Sequence, residues 1–340
     1  MNRNELARIA RAMVVKDKGI LAADESSGTI KKRFDGIKLD STEEARRTYR
    51  EMLFTAPGAA DWISGVILYD ETIRQKTKDG VPFPDYMTKL GILPGIKVDT
   101  GAKPLAAFSN ETITEGLDGL RERLVDYHKL GARFAKWRAV IDIGDGIPTQ
   151  FAIDANAHAL ARYAALCQEN GIVPIVEPEV LMDGAHSIER CEEVTDAVLE
   201  SVFDQLFAHR IYLEGIVLKP NMIISGKKAA NRASPEQVAE ATVRCLKRHV
   251  PSAVPGIAFL SGGQSSAEAT LHLSLMNKLA PLPWQLTFSY GRALQDTALK
   301  AWGGQPANYA AGQKEFARRA RFNSLATTGR YAADMESKAA

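Results

Sequence analysis

Six charged residues stand where apolar runs of the chain come to an end. Lys219 follows Gly215-Ile216-Val217-Leu218 and precedes Pro220, which stops a strand. Lys136 and Arg138 fall two apart in the run that starts at Phe134, and Glu177 and Glu179 fall two apart in the next. Asp24 closes Gly19-Ile20-Leu21-Ala22-Ala23. A lysine ammonium among apolar neighbours is costly unless it is paired or loses its proton, and an amine that is neutral near pH 7 attacks carbonyls. Lys219 therefore reads as a nucleophile that forms a Schiff base. A second cation nearby, Lys136, would disfavour its protonated form, and the carboxylates would supply general acid and base functions. Any one of these side chains could instead snorkel from a strand end to water. Six on one rim, in strands otherwise apolar, point to a site.

A second set of residues could hold phosphate. Ser261-Gly262-Gly263-Gln264-Ser265 offers a hydroxyl, two glycines that admit close approach to backbone N–H groups, and a helix start. Ser289-Tyr290-Gly291-Arg292 adds a fork-shaped permanent cation. Near the N-terminus, Ser26-Ser27-Gly28-Thr29 leads into Lys31-Lys32-Arg33, which reads either as a phosphate-holding turn or as an ordinary capped helix start with a solvated basic turn. A Schiff-base lysine beside a phosphate grip implies a phosphorylated ketone or ketose as substrate.

Short apolar runs over 19–24, 62–69, 93–99, 134–141, 172–179, 215–219, 256–263 and 284–292 predict eight strands. Helical spacing separates them: Leu117, Leu120, Leu124 and His128 up to Gly131; Ala159, Leu160, Tyr163 and Leu166 up to Asn170-Gly171; and Val194, Val198, Val202 and Leu206. Ser234-Pro235-Glu236-Gln237 and Ser265 with Glu268 have the residues of capping boxes. Strands alternating with helices imply parallel crossovers, and eight of them favour a closed barrel over an open sheet. The expected architecture is α/β: a single (β/α)8 TIM barrel over 1–340, with an N-terminal helix and, from about 325 to 340, a flexible C-terminal tail. In such a barrel inward-pointing residues alternate along each strand, and the strand C-termini meet at one mouth. That geometry collects Asp24, Lys136, Arg138, Glu177, Glu179 and Lys219, and sets the phosphate turns after strands seven and eight beside them.

Composition narrows the function classes. A net charge of +2 creates no whole-protein field for nucleic acid or membrane. No apolar run is long enough to span a bilayer, and the N-terminus lacks the pattern of a signal peptide, so a cytoplasmic enzyme is expected. Cys167, Cys191 and Cys245 have neither pairing number nor metal spacing, and the six histidines form no His-Glu-x-x-His pattern. Neither metal nor cofactor is expected.

Seven motifs in order resemble the class I, Schiff-base fructose-1,6-bisphosphate aldolases: GILAADESSG at 19–28, GIKVD at 95–99, FAKWR at 134–138, IVEPEV at 175–180, VLKPNM at 217–222, LSGGQS at 260–265 and LTFSYGRAL at 286–294. The resemblance implies a (β/α)8 homotetramer that reversibly cleaves fructose 1,6-bisphosphate to dihydroxyacetone phosphate and glyceraldehyde 3-phosphate. It assigns the Schiff base to Lys219 and acid–base work on the carbinolamine to Glu177, with Glu179 its partner. Asp24 takes part in C–C cleavage through the C4 hydroxyl, and Lys136 is the neighbouring cation. Ser261, Gly262 and Arg292 hold the ketone-side phosphate, while Ser26, Lys97 and Arg138 surround the other, with Lys32 and Arg33 nearby. Two departures stand out. Animal members end in a tyrosine that assists proton exchange on the enamine, whereas this chain ends Glu336-Ser337-Lys338-Ala339-Ala340, leaving that step to another group or to water. Thr29 and Thr100 stand where animal enzymes carry Ser and Lys. The alternatives are another Schiff-base aldolase of transaldolase type and a sugar-phosphate-binding scaffold without catalysis; a nucleophile beside an acid argues against the scaffold.

Overall fold

The computed structural model describes residues 1–338. Eight parallel strands close into a barrel: Gly19–Ala23, Ile63–Leu68, Leu93–Lys97, Phe134–Ile141, Val173–Val180, Val217–Leu218, Gly256–Phe259 and Gln285–Tyr290. Each pairs with its sequence neighbours in the barrel, and the first pairs with both the second and the eighth, so no edge is left open. Helices cross between the strands and pack outside, giving the expected (β/α)8 architecture.

Two apolar layers result from strand alternation. Outward side chains join the helices in one large core. Inward ones, among them Ile20, Ile67, Phe134, Ile175 and Val217, fill the lower lumen and meet Leu6, Ile9 and Met13 of the N-terminal helix Arg3–Met13, which plugs that end. Phe134 is wholly buried, and its ring occupies space that only glycine leaves: a Cβ at Gly95 would stand 2.2 Å from it, and one at Gly65 2.9 Å. Inward positions further along the same strands carry charge, so the polarity of the lumen changes from one end to the other.

Several elements differ from the sequence expectation. The sixth strand is only two residues long; Lys219 lies just past it, although its backbone N–H still bonds Val176 O at 2.8 Å. Pro220 has no N–H to extend that ladder. Leu117 lies outside its helix, which runs over Leu120–Lys129 after Gly119 in the left-handed region. A hairpin that the apolar pattern did not signal, Gly101–Pro104 with Thr112–Glu115, rises after the third strand; its hydroxyls bond the fourth strand, Thr114 to Arg138 O and Thr112 to Val140 O. Beyond Arg292 the chain forms two helices, Arg292–Trp302 and Tyr309–Ala326, interrupted at Gly303 and Gly304, both at positive φ. Within the stretch expected as a tail, Tyr331 is buried and donates to Glu336 Oε1 at 2.8 Å, and Arg318 donates to Glu336 Oε2 at 3.1 Å. The end of that tail, 339–340, lies outside the described residues.

Candidate active site

A cavity of about 480 Å3 opens at the C-terminal end of the strands, and every site residue expected from the sequence lines it. Its floor is a buried row of alternating charge. Lys219 Nζ stands 3.1 Å from Glu177 Oε1, Glu177 Oε2 stands 3.5 Å from Lys136 Nζ, and Lys136 Nζ stands 2.6 Å from Asp24 Oδ2. Lys219, Lys136 and Glu177 are each no more than 4% exposed, so the row is desolvated and depends on mutual pairing. Strand alternation explains the row: Lys136 and Arg138 face inward from the fourth strand, Glu177 and Glu179 from the fifth. Arg138 Nε donates to Glu179 Oε2 one level higher.

The row divides protonation states. Burial penalises the Asp24 carboxylate, but Lys136, Lys219 and Lys97 outweigh it and bring Asp24 down from 3.8 to about 2. Burial likewise works against the Lys136 ammonium, and Asp24, Glu177 and Asp99 hold it well above the ordinary lysine range. Asp24 is thus an ionised base and Lys136 a fixed cation at neutral pH. Glu177 touches both lysines, the position from which one carboxylate can take a proton from, or return one to, either amine.

The wall opposite carries the groups expected to bind anions. Ser261 and Gly262 begin the turn after the seventh strand, and the capping box of Ser265 with Glu268 starts the helix Ser266–Lys278 behind it. His272 of that helix, buried and pushed by burial down to about 4, holds Gln264 of the turn through Nδ1 at 2.6 Å. Ser289, Gly291 and Arg292 lie at the end of the eighth strand; Ser289 is buried and its hydroxyl has no partner among the described residues, while Arg292 is exposed in the mouth. Ser26 caps the helix Ser27–Asp35 and aims that helix start at the cavity, with Lys32 exposed and Arg33 half-buried behind it. Lys97 bends back to Asp99 Oδ1 at 2.6 Å. Among the described residues no group of three His, Cys, Asp or Glu side chains is arranged to hold a metal.

Three participants escaped the sequence reading of the site. Glu25 is buried and pairs with Arg33 at 2.7 Å. Asp99 is buried and accepts both from Lys97 and from the Arg138 N–H. Gln295 is fully buried behind the first strand. Asp99 could have been found, since it lies two residues after Lys97 in a strand-like run; Gln295 sits in an ordinary helical stretch and gives no local sign.

Comparison with known proteins agrees with this architecture. The family model described as "Fructose-bisphosphate aldolase class-I" matches residues 5–340. A probable fructose-bisphosphate aldolase class 1 of Xanthomonas campestris pv. campestris is 59% identical over 332 residues, 97% of this chain and 99% of that one. A cytosolic fructose-bisphosphate aldolase 4 of Arabidopsis thaliana is 54% identical over 98% of this chain and 85% of its own. Fructose-bisphosphate aldolase from Plasmodium falciparum, solved in complex with TRAP and a small-molecule inhibitor, superposes with a TM-score of 0.96 at 50% identity, covering 97% of this chain and 96% of that one. The chain belongs to the class-I fructose-bisphosphate aldolase family.

Proposed function

We propose that Lys219 is the residue on which this aldolase, cleaving fructose 1,6-bisphosphate, forms its Schiff base. Glu177 takes a proton from the Lys219 ammonium, the freed amine attacks the ketose C2 carbonyl, Glu177 returns the proton to the departing hydroxyl of the carbinolamine, and water leaves to give an iminium ion. Asp24 then takes the C4 hydroxyl proton as the C3–C4 bond breaks; its electron pair passes into the iminium, and glyceraldehyde 3-phosphate departs. Protonation of the resulting enamine at C3 and hydrolysis release dihydroxyacetone phosphate and restore Lys219. Lys136 keeps Asp24 ionised until it accepts that proton, and Glu179, tied to Arg138, closes the wall beside Glu177. No cofactor enters this chemistry.

Two anion sites fix the substrate across the row. Ser261, Gly262, Ser289, Gly291 and Arg292 receive the ketone-side phosphate, and Ser26, Lys97, Arg138 and Lys32 surround the other. The observation that carries the reading is the 3.1 Å contact of the buried Lys219 amine with a carboxylate that also reaches Lys136. The test is a Lys219→Met protein, expected to lose fructose bisphosphate cleavage by at least ~10⁴-fold, as a removed covalent nucleophile does. Retained cleavage overturns the assignment. The same reading includes a homotetramer working in the cytoplasm. It is supported by the likeness to cytosolic relatives, with no helix among the described residues long and apolar enough to cross a membrane. Sedimentation at micromolar concentration gives four chains or refutes the assembly.

A further inference from the structure

We propose that Gln295 is a positioning residue that couples the arginine side of the phosphate grip to Asp24. It lies on the helix Arg292–Trp302, one turn after Arg292, and is wholly buried. Its Nε2 donates to Ala22 O at 2.6 Å and to Glu25 Oε1 at 3.0 Å, so one amide holds the chain on both sides of Asp24. Its Oε1 accepts from Tyr49 Oη at 3.0 Å and from Arg33 Nη1 at 3.5 Å. The amide orientation follows from these partners, because the flipped form would set oxygen against a carbonyl and a carboxylate and NH2 against a guanidinium. Arg50, almost fully buried, completes the frame by donating to Glu25 O at 2.6 Å.

The other end of the frame is the anion site. Glu25 Oε1 pairs with Arg33 Nη1 at 2.7 Å, and Arg33 Nη2 lies against Gly291, where a Cβ would stand 3.7 Å from it and 3.4 Å from Ala22 O. An anion that draws on Arg33 therefore pulls on Glu25 and Gln295, which orient the strand end bearing Asp24, and one held by Arg292 pulls on the helix that carries Gln295. Nothing in this frame touches Lys219 or Glu177 directly. Gln295 acts on the cleavage step and leaves Schiff-base formation alone.

The inference rests on the proposed roles of Lys219 and Asp24, and the experiment separates the two. Wild type, Gln295→Met, which preserves volume without hydrogen bonds, and Tyr49→Phe are compared in two assays: steady-state cleavage of fructose 1,6-bisphosphate, and borohydride trapping of dihydroxyacetone phosphate on Lys219. Gln295→Met is expected to lower kcat about 10- to 100-fold, the scale of an ångström-sized misplacement, while trapping stays within about twofold of wild type. Tyr49→Phe shifts cleavage about threefold in the same sense and carries the test alone if Gln295→Met does not fold. Unchanged cleavage in the variants, or equal loss of cleavage and trapping with a lowered Tm, overturns the coupling. Absence of trapping in wild type instead overturns the assignment of Lys219.

Discussion

Lys136 and Asp24 meet at 2.6 Å across the lumen of the barrel, from the fourth and first strands, which are not neighbours in the sheet. The contact ties the base proposed to break the C–C bond to the carboxylate beside the proposed Schiff-base lysine, because Lys136 also reaches Glu177. Removing the ammonium leaves the buried Glu177 and the partly buried Asp24 with no cation between them. Lys136→Met should lower kcat/KM for fructose bisphosphate by about 10²–10³-fold and move the acid limb of its pH profile upward, since Asp24 loses the largest cationic influence that holds it near 2. A pH–rate profile from pH 4 to 9 checks both; a variant that is slower with an unmoved acid limb contradicts the electrostatic role.

The same pairing makes stability depend on acid. Asp24 is depressed from 3.8 to about 2 in the folded chain, so its contribution is complete above about pH 4 and is lost as the pH falls toward 2. The amount is about 2 kcal/mol. Urea unfolding of wild type and Asp24→Asn between pH 5 and pH 2.5 should show the wild type losing more stability than the variant by up to that amount. Parallel loss in the two proteins contradicts it.

How much of this was open to view in the sequence depends on the range of each interaction. Lys136 with Arg138 and Glu177 with Glu179 share a face because strand side chains alternate, a local rule, and the lateral register that sets Arg138 beside Glu177 follows once the strands are parallel neighbours. Lys219 stood out because a cation before Pro220 in an apolar run has few uses. The cross-lumen contact of Lys136 with Asp24 needs barrel closure and tilt, which no local pattern encodes. Gln295 contacts residues about 270 positions earlier in the chain, and only the folded molecule brings them together. The hairpin at 101–115 was hidden because its strands are four residues long and carry no alternation of apolar with polar residues. The break at Gly303-Gly304 is local in origin, since paired glycines adopt the positive φ that interrupts a helix.

Packing in the lower lumen is tightest at Gly95 and Phe134. Gly95→Ala should destabilise by about 1–3 kcal/mol, because the new methyl and the buried ring cannot both fit. Adding Phe134→Leu should return part of that loss, whereas Phe134→Leu alone destabilises by opening space. Urea midpoints of the three proteins measure the coupling; additive effects would show that the ring does not restrict position 95.

Arg292 lies exposed in the mouth at the start of its helix, free to swing onto a phosphate. Arg292→Ala should raise KM for fructose 1,6-bisphosphate about 10- to 100-fold and cost less with a ketose that lacks the ketone-side phosphate. Equal losses with the two substrates would place its contact elsewhere.

The amine beside Glu177 is proposed to capture the ketone. Reduction with borohydride in the presence of dihydroxyacetone phosphate, followed by peptide mass mapping, tests it most directly. One covalent adduct is expected, on Lys219, with loss of activity in proportion to its formation. An adduct on Lys136 or Lys97, or complete inactivation with no adduct at Lys219, would contradict it.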